Sequence, residues 1–70
     1  MAGATIIKQL LIERDMNIKE LAEKMEIAHQ SMRNKLYRDK FSFEEVLHIL
    51  DLLGASMEVV TKDTGKRFEV

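Results

Sequence analysis

The polar side chains between residues 28 and 40 have the types and spacing that could do chemistry. Gln30 and Asn34 each carry an amide with a hydrogen-bond donor beside an acceptor, a pattern that matches the N6/N7 edge of adenine. Arg33 carries a planar guanidinium that can form paired hydrogen bonds with guanine or with a phosphate. His29 and Ser31 can also bond a base or a phosphate. This set of groups is suited to hydrogen bonding with nucleic acid.

The charge of the chain is nearly balanced overall but unevenly distributed. The 70 residues include 11 Lys and Arg against 12 Asp and Glu, for a net charge of −1. This balance disfavours a non-specific nucleic-acid binder, which is usually strongly basic. Residues 28–40 hold four basic side chains and one acidic one, whereas residues 41–53 hold three acidic side chains and no Lys or Arg. Positive charge is thus concentrated on one segment, as a near-neutral DNA-binding protein requires.

Length and composition limit the remaining possibilities. Seventy residues correspond to one domain, residues 1–70. The chain has no cysteine and only two histidines, so we expect no disulfide, no metal site and no cofactor. It also lacks a cysteine nucleophile and a Gly-rich phosphate loop, so we expect no enzymatic activity. No apolar run or signal pattern indicates a membrane or export, which predicts a cytoplasmic protein without a membrane partner.

Helical periodicity and capping signals organise the first part of the chain. Apolar side chains at helical spacing predict a first helix over residues 4–14. Asn17 predicts the N-cap of a second helix, and Glu20 stands three residues later, where it completes a capping box. A turn over residues 26–28 then leads to a third helix over residues 28–37. The polar side chains described above therefore lie on this third helix.

A second capping box and a change of period organise the rest. Ser42 and Glu45 predict the capped start of a fourth helix, and Gly54 predicts its end in a left-handed conformation. The tail, residues 55–70, alternates apolar and polar residues around a turn at residues 63–65. This pattern predicts a β-hairpin, with Gly65 supplying a positive φ.

The predicted hairpin needs a partner, because an isolated two-stranded ribbon is only marginally stable in water. We expect it to cover the apolar side chains Leu47 or Leu52 of the fourth helix. An exposed edge strand is also a template for pairing with a second copy. We therefore expect a homodimer formed through the tail, with an interface built from Met57, Val59, Phe68 and Val70.

Residues 7–53, and above all the segment IKQLLIERDMNIKELAEKMEIAHQSMRNKL, resemble the helix-turn-helix of the phage lambda Cro/CI repressor-like family, often called the XRE family. The resemblance implies a mostly α fold, a four-helix lambda-repressor-like domain over residues 1–54 with the β-hairpin of some small members at residues 55–70. It further implies a repressor-like transcriptional regulator that binds double-stranded DNA sequence-specifically. Such proteins act as homodimers on pseudo-palindromic sites.

The resemblance also assigns roles by position. In this family the second helix crosses the DNA backbone and the third enters the major groove. The residues expected to face base edges are His29, Gln30, Ser31, Arg33 and Asn34. The residues expected to contact phosphates are Asn17, Lys19, Lys35, Arg38 and Lys40.

Three positions depart from the family's pattern. Glu26 occupies the turn position usually held by glycine, where a left-handed backbone costs about 1 kcal/mol for other residues. Ile18 replaces a polar residue that often contacts a phosphate. Ala28 replaces a hydroxyl residue whose cap is typically worth about 1 kcal/mol. These departures bear on how tightly the chain binds DNA.

Two other functional interpretations remain open. In the first, the domain is a protein-interaction module, such as an antitoxin, and DNA binding is secondary or lost. Ile12, Ile18 or Leu47 would then contact a protein partner. In the second, the helix-turn-helix has lost its DNA affinity. For Tyr37 we favour partial packing over base stacking, because a lone aromatic side chain forms no stacking platform.

Overall fold

The computed structural model describes residues 3–70 as four helices followed by a two-stranded antiparallel sheet. The elements are α1 (Gly3–Glu13), α2 (Ile18–Lys24), α3 (His29–Arg38), α4 (Phe43–Leu52), β1 (Glu58–Val60) and β2 (Arg67–Glu69). This architecture confirms the predicted fold class, and the predicted bounds of the first and third helices differ by one residue at each end. Over the described range, no helix is long and apolar enough to cross a membrane.

The two predicted capping boxes are present. Asn17 Oδ1 accepts a hydrogen bond from the Glu20 amide at 2.8 Å, and the Asn17 amide donates to Glu20 Oε1 at 3.2 Å. Ser42 and Glu45 make the same reciprocal pair at the start of α4, both at 3.1 Å. Each box supplies partners for amide groups that a helix start leaves unpaired. The starts of α2 and α4 are therefore determined by local sequence.

The core takes one fully buried large side chain from each helix. These four side chains are Ile7, Leu21, Met32 and Ile49. Smaller or nearly buried apolar side chains complete the core within residues 3–70, namely Ala4, Leu11, Ala22, Leu36, Val46, Leu50 and Leu53. From α3 only Met32 and Leu36 are buried, four residues apart on one face. Of the remaining side chains of α3, all are exposed except the half-buried Lys35.

The tail forms the predicted β-hairpin. The strands pair Glu58 with Glu69, Val59 with Phe68 and Val60 with Arg67. Gly65 has a φ of 71°, as the predicted turn requires.

The tail was also expected to cover α4, and this expectation is wrong. All six strand residues are exposed, and Leu47 and Leu52 stay half-buried. Three of the six strand side chains are charged and remain hydrated on one face, whereas Val59 and Phe68 lie more than half exposed on the other face. The ribbon therefore lacks the support that the sequence led us to expect from its own helices.

Two long-range contacts fix α1 at its two ends. The Ala4 amide donates to Asp39 Oδ1 at 2.8 Å, so a carboxylate from the end of α3 caps the start of α1. At the other end, Arg14 donates from Nε to the Leu53 carbonyl at 2.9 Å and from Nη2 to the Gly54 carbonyl at 3.1 Å. The guanidinium thus satisfies carbonyl groups that the end of α4 leaves unpaired.

Replacing Arg14 by methionine should lower the free energy of unfolding by about 1–2 kcal/mol. The apolar stem is kept, but two charge-assisted hydrogen bonds to the end of α4 are lost. Urea unfolding followed by circular dichroism measures the change. Lys8→Met removes an exposed cation from α1, the helix that Arg14 directly follows, and serves as the control. Equal stabilities of the two variants would contradict the capping role of Arg14.

Candidate nucleic-acid interface

The exposed face of α3 carries the predicted base-reading residues. Because Met32 and Leu36 face the core, the other side chains of α3 are exposed, except for the half-buried Lys35. All five predicted side chains, His29, Gln30, Ser31, Arg33 and Asn34, are exposed. They span about 7.5 Å of helix axis, a length that fits within a major groove. The structure thus brings the five together on one accessible helix, and their roles stay predictions.

Two of these side chains are already bonded to each other. Gln30 Nε2 donates to Asn34 Oδ1 at 3.2 Å, one turn apart on the exposed face of α3. The side-chain atoms Gln30 Oε1 and Asn34 Nδ2 remain without partners among the hydrogen bonds of residues 3–70. The pair therefore leaves one side-chain acceptor and one side-chain donor for a ligand. Sequence reasoning named both residues but did not predict that they are coupled.

The turn before α3 has the two unfavourable features that the sequence predicted. Glu26 adopts a left-handed backbone with a φ of 57°. Ala28 occupies the N-cap of α3 and makes no side-chain hydrogen bond. The half-buried Ile27 packs against the core between them and anchors the turn. Packing thus holds a turn whose local sequence is not ideal.

Replacing Glu26 by glycine should raise the free energy of unfolding by about 1 kcal/mol, because glycine adopts the left-handed conformation without a Cβ clash. Thermal unfolding measured by circular dichroism tests this. Glu23→Gly, three residues earlier inside α2, is the matched control. That variant should be destabilised by a similar amount, since glycine is unfavourable in a helix interior. The same sign of change in both variants would refute the strain at Glu26.

Four of the five predicted phosphate-binding residues are exposed around α3. Asn17 and Lys19 lie at the start of α2, and Arg38 and Lys40 lie at the end of α3 and just beyond it. Asn17 uses its side-chain oxygen for capping, so its amide nitrogen is the group left for a phosphate. These positions flank the exposed face of α3 on two sides. Their phosphate contacts remain predictions.

Lys35, the fifth predicted phosphate contact, instead has a partner within the protein. Its Nζ lies 2.7 Å from Oε2 of Glu45 on α4, and both side chains are about one-third exposed, 36% and 34%. The hydrogen bond from Lys35 and the backbone amide of Ser42 lower the pKa of the Glu45 carboxyl. The only hint in the sequence was the change from basic to acidic segments between residues 40 and 41.

Tyr37 is a candidate that sequence reasoning misjudged. Its side chain is 90% exposed, so the expected partial packing is wrong. Leu36 takes the inward position, and the next residue on a helix points about 100° away from it. Tyr37 lies one turn beyond Arg33 and Asn34 on the same exposed face. The 3.6-residue period, followed from Met32 and Leu36, would have placed it there.

An open groove borders α3 on the side of α1 and α2. It encloses about 650 Å³, and its lining includes Ile12, Ile18, Lys8, Lys19 and Arg33. No acidic side chain lines it, and Ile12 is 81% exposed. The lining of the groove therefore combines apolar and basic side chains, and it includes the predicted DNA-facing residues His29 and Arg33.

The described part of the chain has no cluster of three or more His, Asp or Glu side chains that could hold a metal ion. His29 lies at the start of α3, and His48 lies on the exposed side of α4.

Together, α2, the tight turn and the exposed α3 define a helix-turn-helix DNA-binding protein. The family model of the bacteriophage CI repressor helix-turn-helix domain matches residues 8–68, and the chain belongs to this family. The match includes all of α2 to α4 and most of the hairpin, and it confirms the resemblance found in the sequence. Comparison with curated proteins and with solved structures found no match. Membership places the chain among DNA-binding domains that regulate transcription.

Proposed function

We propose that the protein is a repressor-like transcriptional regulator that binds double-stranded DNA sequence-specifically, as a homodimer on a pseudo-palindromic site. One observation carries the proposal. Met32 and Leu36 anchor α3 to the core, while every predicted base-reading side chain of this helix is exposed. A helix held in this way can enter the major groove without rearranging the domain.

Base recognition would come from the exposed face of α3. The Gln30–Asn34 pair has one free side-chain acceptor and one free donor, which would bind the N6 donor and the N7 acceptor of an adenine in the major groove. Arg33 would form paired hydrogen bonds with a guanine. His29 and Ser31 begin the helix and would contact the bases next to these. Each well-formed bidentate contact contributes about 1–3 kcal/mol of discrimination.

Phosphate contacts would position the domain on the duplex without reading sequence. Asn17 and Lys19 would bind one strand at the start of α2, while Arg38 and Lys40 would bind the backbone beyond the end of α3. Each cation placed on a phosphate adds about 0.9 to the slope of log affinity against log salt concentration. With three such cations and a net charge of −1, binding to unrelated DNA should be weak.

The hairpin supports the homodimer. Val59 pairs with Phe68, and the Val70 amide donates to the Met57 carbonyl at 3.0 Å, so these four apolar side chains share one face of the ribbon. Val59, Phe68 and Val70 are all more than half exposed. A second copy that supplied the same face would bury this surface and stabilise the ribbon. Two α3 helices would then reach major grooves about 34 Å apart.

In vitro selection from random duplex DNA tests this function. We expect enrichment of an inverted repeat whose half-sites contain an adenine and a guanine at adjacent or nearby positions. The full chain should be used at physiological salt, where contacts to phosphates alone give little retention. A pool that stays random after repeated rounds would refute sequence-specific binding.

A second candidate function is the binding of a protein partner, as in an antitoxin. The observation that favours it is Ile12, which is 81% exposed on the groove between α1, α2 and α3. The other two apolar residues considered for this surface, Ile18 and Leu47, are both half-buried. This function is supported if selection enriches no DNA while a candidate protein partner binds the wild type but not Ile12→Ser. Equal retention by both would refute it.

A further inference from the structure

We propose that Glu45 sets the strength of DNA binding by holding Lys35 away from the phosphates, so that Lys35 makes no phosphate contact in the complex. This inference rests on the proposed function. Glu45 is a positioning residue here, because it acts on DNA through Lys35.

The Glu45 carboxylate is fixed at both oxygens. Oε2 accepts from Lys35 Nζ at 2.7 Å, and Oε1 accepts from the Ser42 amide at 3.1 Å. The Glu45 amide in turn donates to Ser42 Oγ at 3.1 Å, which completes the capping box of α4. The carboxylate therefore cannot follow Lys35 toward a ligand without breaking the cap. Lys35 is tied to a fixed anion rather than to a mobile one.

Lys35 would gain little free energy by leaving the Glu45 carboxylate for a phosphate of the DNA. The two side chains are only about one-third exposed, so their charges interact more strongly than those of a fully solvated pair. If Lys35 moved to a phosphate, it would give up one anion for another. The Glu45 carboxylate would then lie uncompensated beside the negative charge of the DNA. Lys35 therefore stays with Glu45 when the protein binds.

The position of Lys35 on the helix agrees with this. Lys35 follows Asn34 directly, so it points about 100° around the helix from the Gln30–Asn34 pair and toward α4. Arg38 and Lys40 make no ion pair among residues 3–70 and remain available to phosphates. Of the basic residues at 33, 35, 38 and 40, only Lys35 is neutralised within the described chain. Glu45 thus reduces the effective positive charge of the DNA-facing segment by one.

The salt dependence of DNA binding tests this inference. Binding to a selected duplex and to an unrelated duplex is measured by fluorescence anisotropy over a range of KCl concentrations, for wild type, Glu45→Gln, Lys35→Met and the double variant. Glutamine preserves the capping box, because its amide oxygen can accept from Ser42. We expect Glu45→Gln to steepen the slope of log affinity against log salt concentration by about 0.9. Binding to both duplexes should tighten about eightfold at 0.1 M salt. Lys35→Met and the double variant should keep the wild-type slope.

Glu44→Gln provides a matched control. It removes the same charge from the same turn of α4, but Glu44 makes no ion pair among residues 3–70, so no lysine is released and the slope should not change. Circular dichroism melting verifies that each variant is folded. An unchanged slope for Glu45→Gln, or a slope reduced by about 0.9 for Lys35→Met, would overturn the inference.

The outcome also separates this inference from the proposed function. If the wild type enriches no sequence, but Glu45→Gln still binds unrelated duplex with the steeper slope, only the proposed function fails. If the wild type selects its site and Glu45→Gln has the wild-type slope, only the role of Glu45 fails. If neither protein binds any duplex, both are wrong.

Discussion

Replacing Val59 and Phe68 together by serine should convert the protein to a monomer and weaken binding to its full site by roughly 10²-fold to 10⁴-fold. The two side chains face each other across the ribbon, and both are more than half exposed. Serine keeps the backbone pairing possible but removes the apolar surface that a second copy would cover. Without the dimer, the second half-site no longer benefits from the high effective concentration that linkage provides.

Light scattering gives the oligomeric state, and anisotropy titration with full-site and half-site duplexes gives the affinities. The full chain is used throughout. Val60→Ser is the matched control, because Val60 is as exposed as Val59 but lies on the opposite face of β1, across from Arg67. This control should remain dimeric with wild-type affinity. If the double variant remains dimeric, the ribbon is not the interface.

Replacing Gln30 by alanine should remove the preference for one base in each half-site, at a cost of about 1–3 kcal/mol per half-site for the preferred base. Asn34→Ala should have a similar effect, because Gln30 Nε2 donates to Asn34 Oδ1 and the two amides act as one group. The two losses should therefore not add in a double-mutant cycle. The salt slope should stay unchanged, since neither residue is charged.

Repeated selection with each variant measures the change in preference. Lys19→Ala is the contrasting control, because a phosphate contact should weaken binding to all sequences alike and lower the salt slope by about 0.9. An unchanged selected motif for Gln30→Ala would show that this side chain reads no base.

Most of the elements could be predicted from the sequence because their signals are local. The capping boxes at Asn17 and Ser42 involve residues three positions apart, so the sequence contains both partners. The left-handed conformation of Gly65 follows from turn chemistry in the same way, whereas that of Glu26 was expected from the family resemblance. The exposed face of α3 follows from Met32 and Leu36, which define the opposite side.

The contacts between distant residues could not be predicted. Arg14 reaches the end of α4, and Asp39 caps α1, across separations of 39 and 35 residues. Nothing in the local sequence specifies such partners. The ion pair of Lys35 is of the same kind, and it changes the set of residues available to phosphates. Tyr37 is different, because its exposure could have been predicted from the helical period set by Met32 and Leu36.

The hairpin illustrates a limit of reasoning from stability alone. A two-stranded ribbon needs support, and we expected it to pack on the apolar side chains Leu47 or Leu52 of α4. The strands stay exposed instead, with apolar Val59 and Phe68 on one face. Which surface supplies the support depends on tertiary geometry, which the alternation of residues does not encode.

In the proposed complex, two α3 helices enter successive major grooves on one face of the duplex. Dimethyl sulfate footprinting of the selected site tests this directly, because the reagent modifies guanine N7 in the major groove. We predict protection of guanines in two major-groove segments with centres about 10 base pairs apart, lost with Arg33→Ala. Protection of a single segment, or unprotected guanines at a site that is clearly bound, would contradict the account.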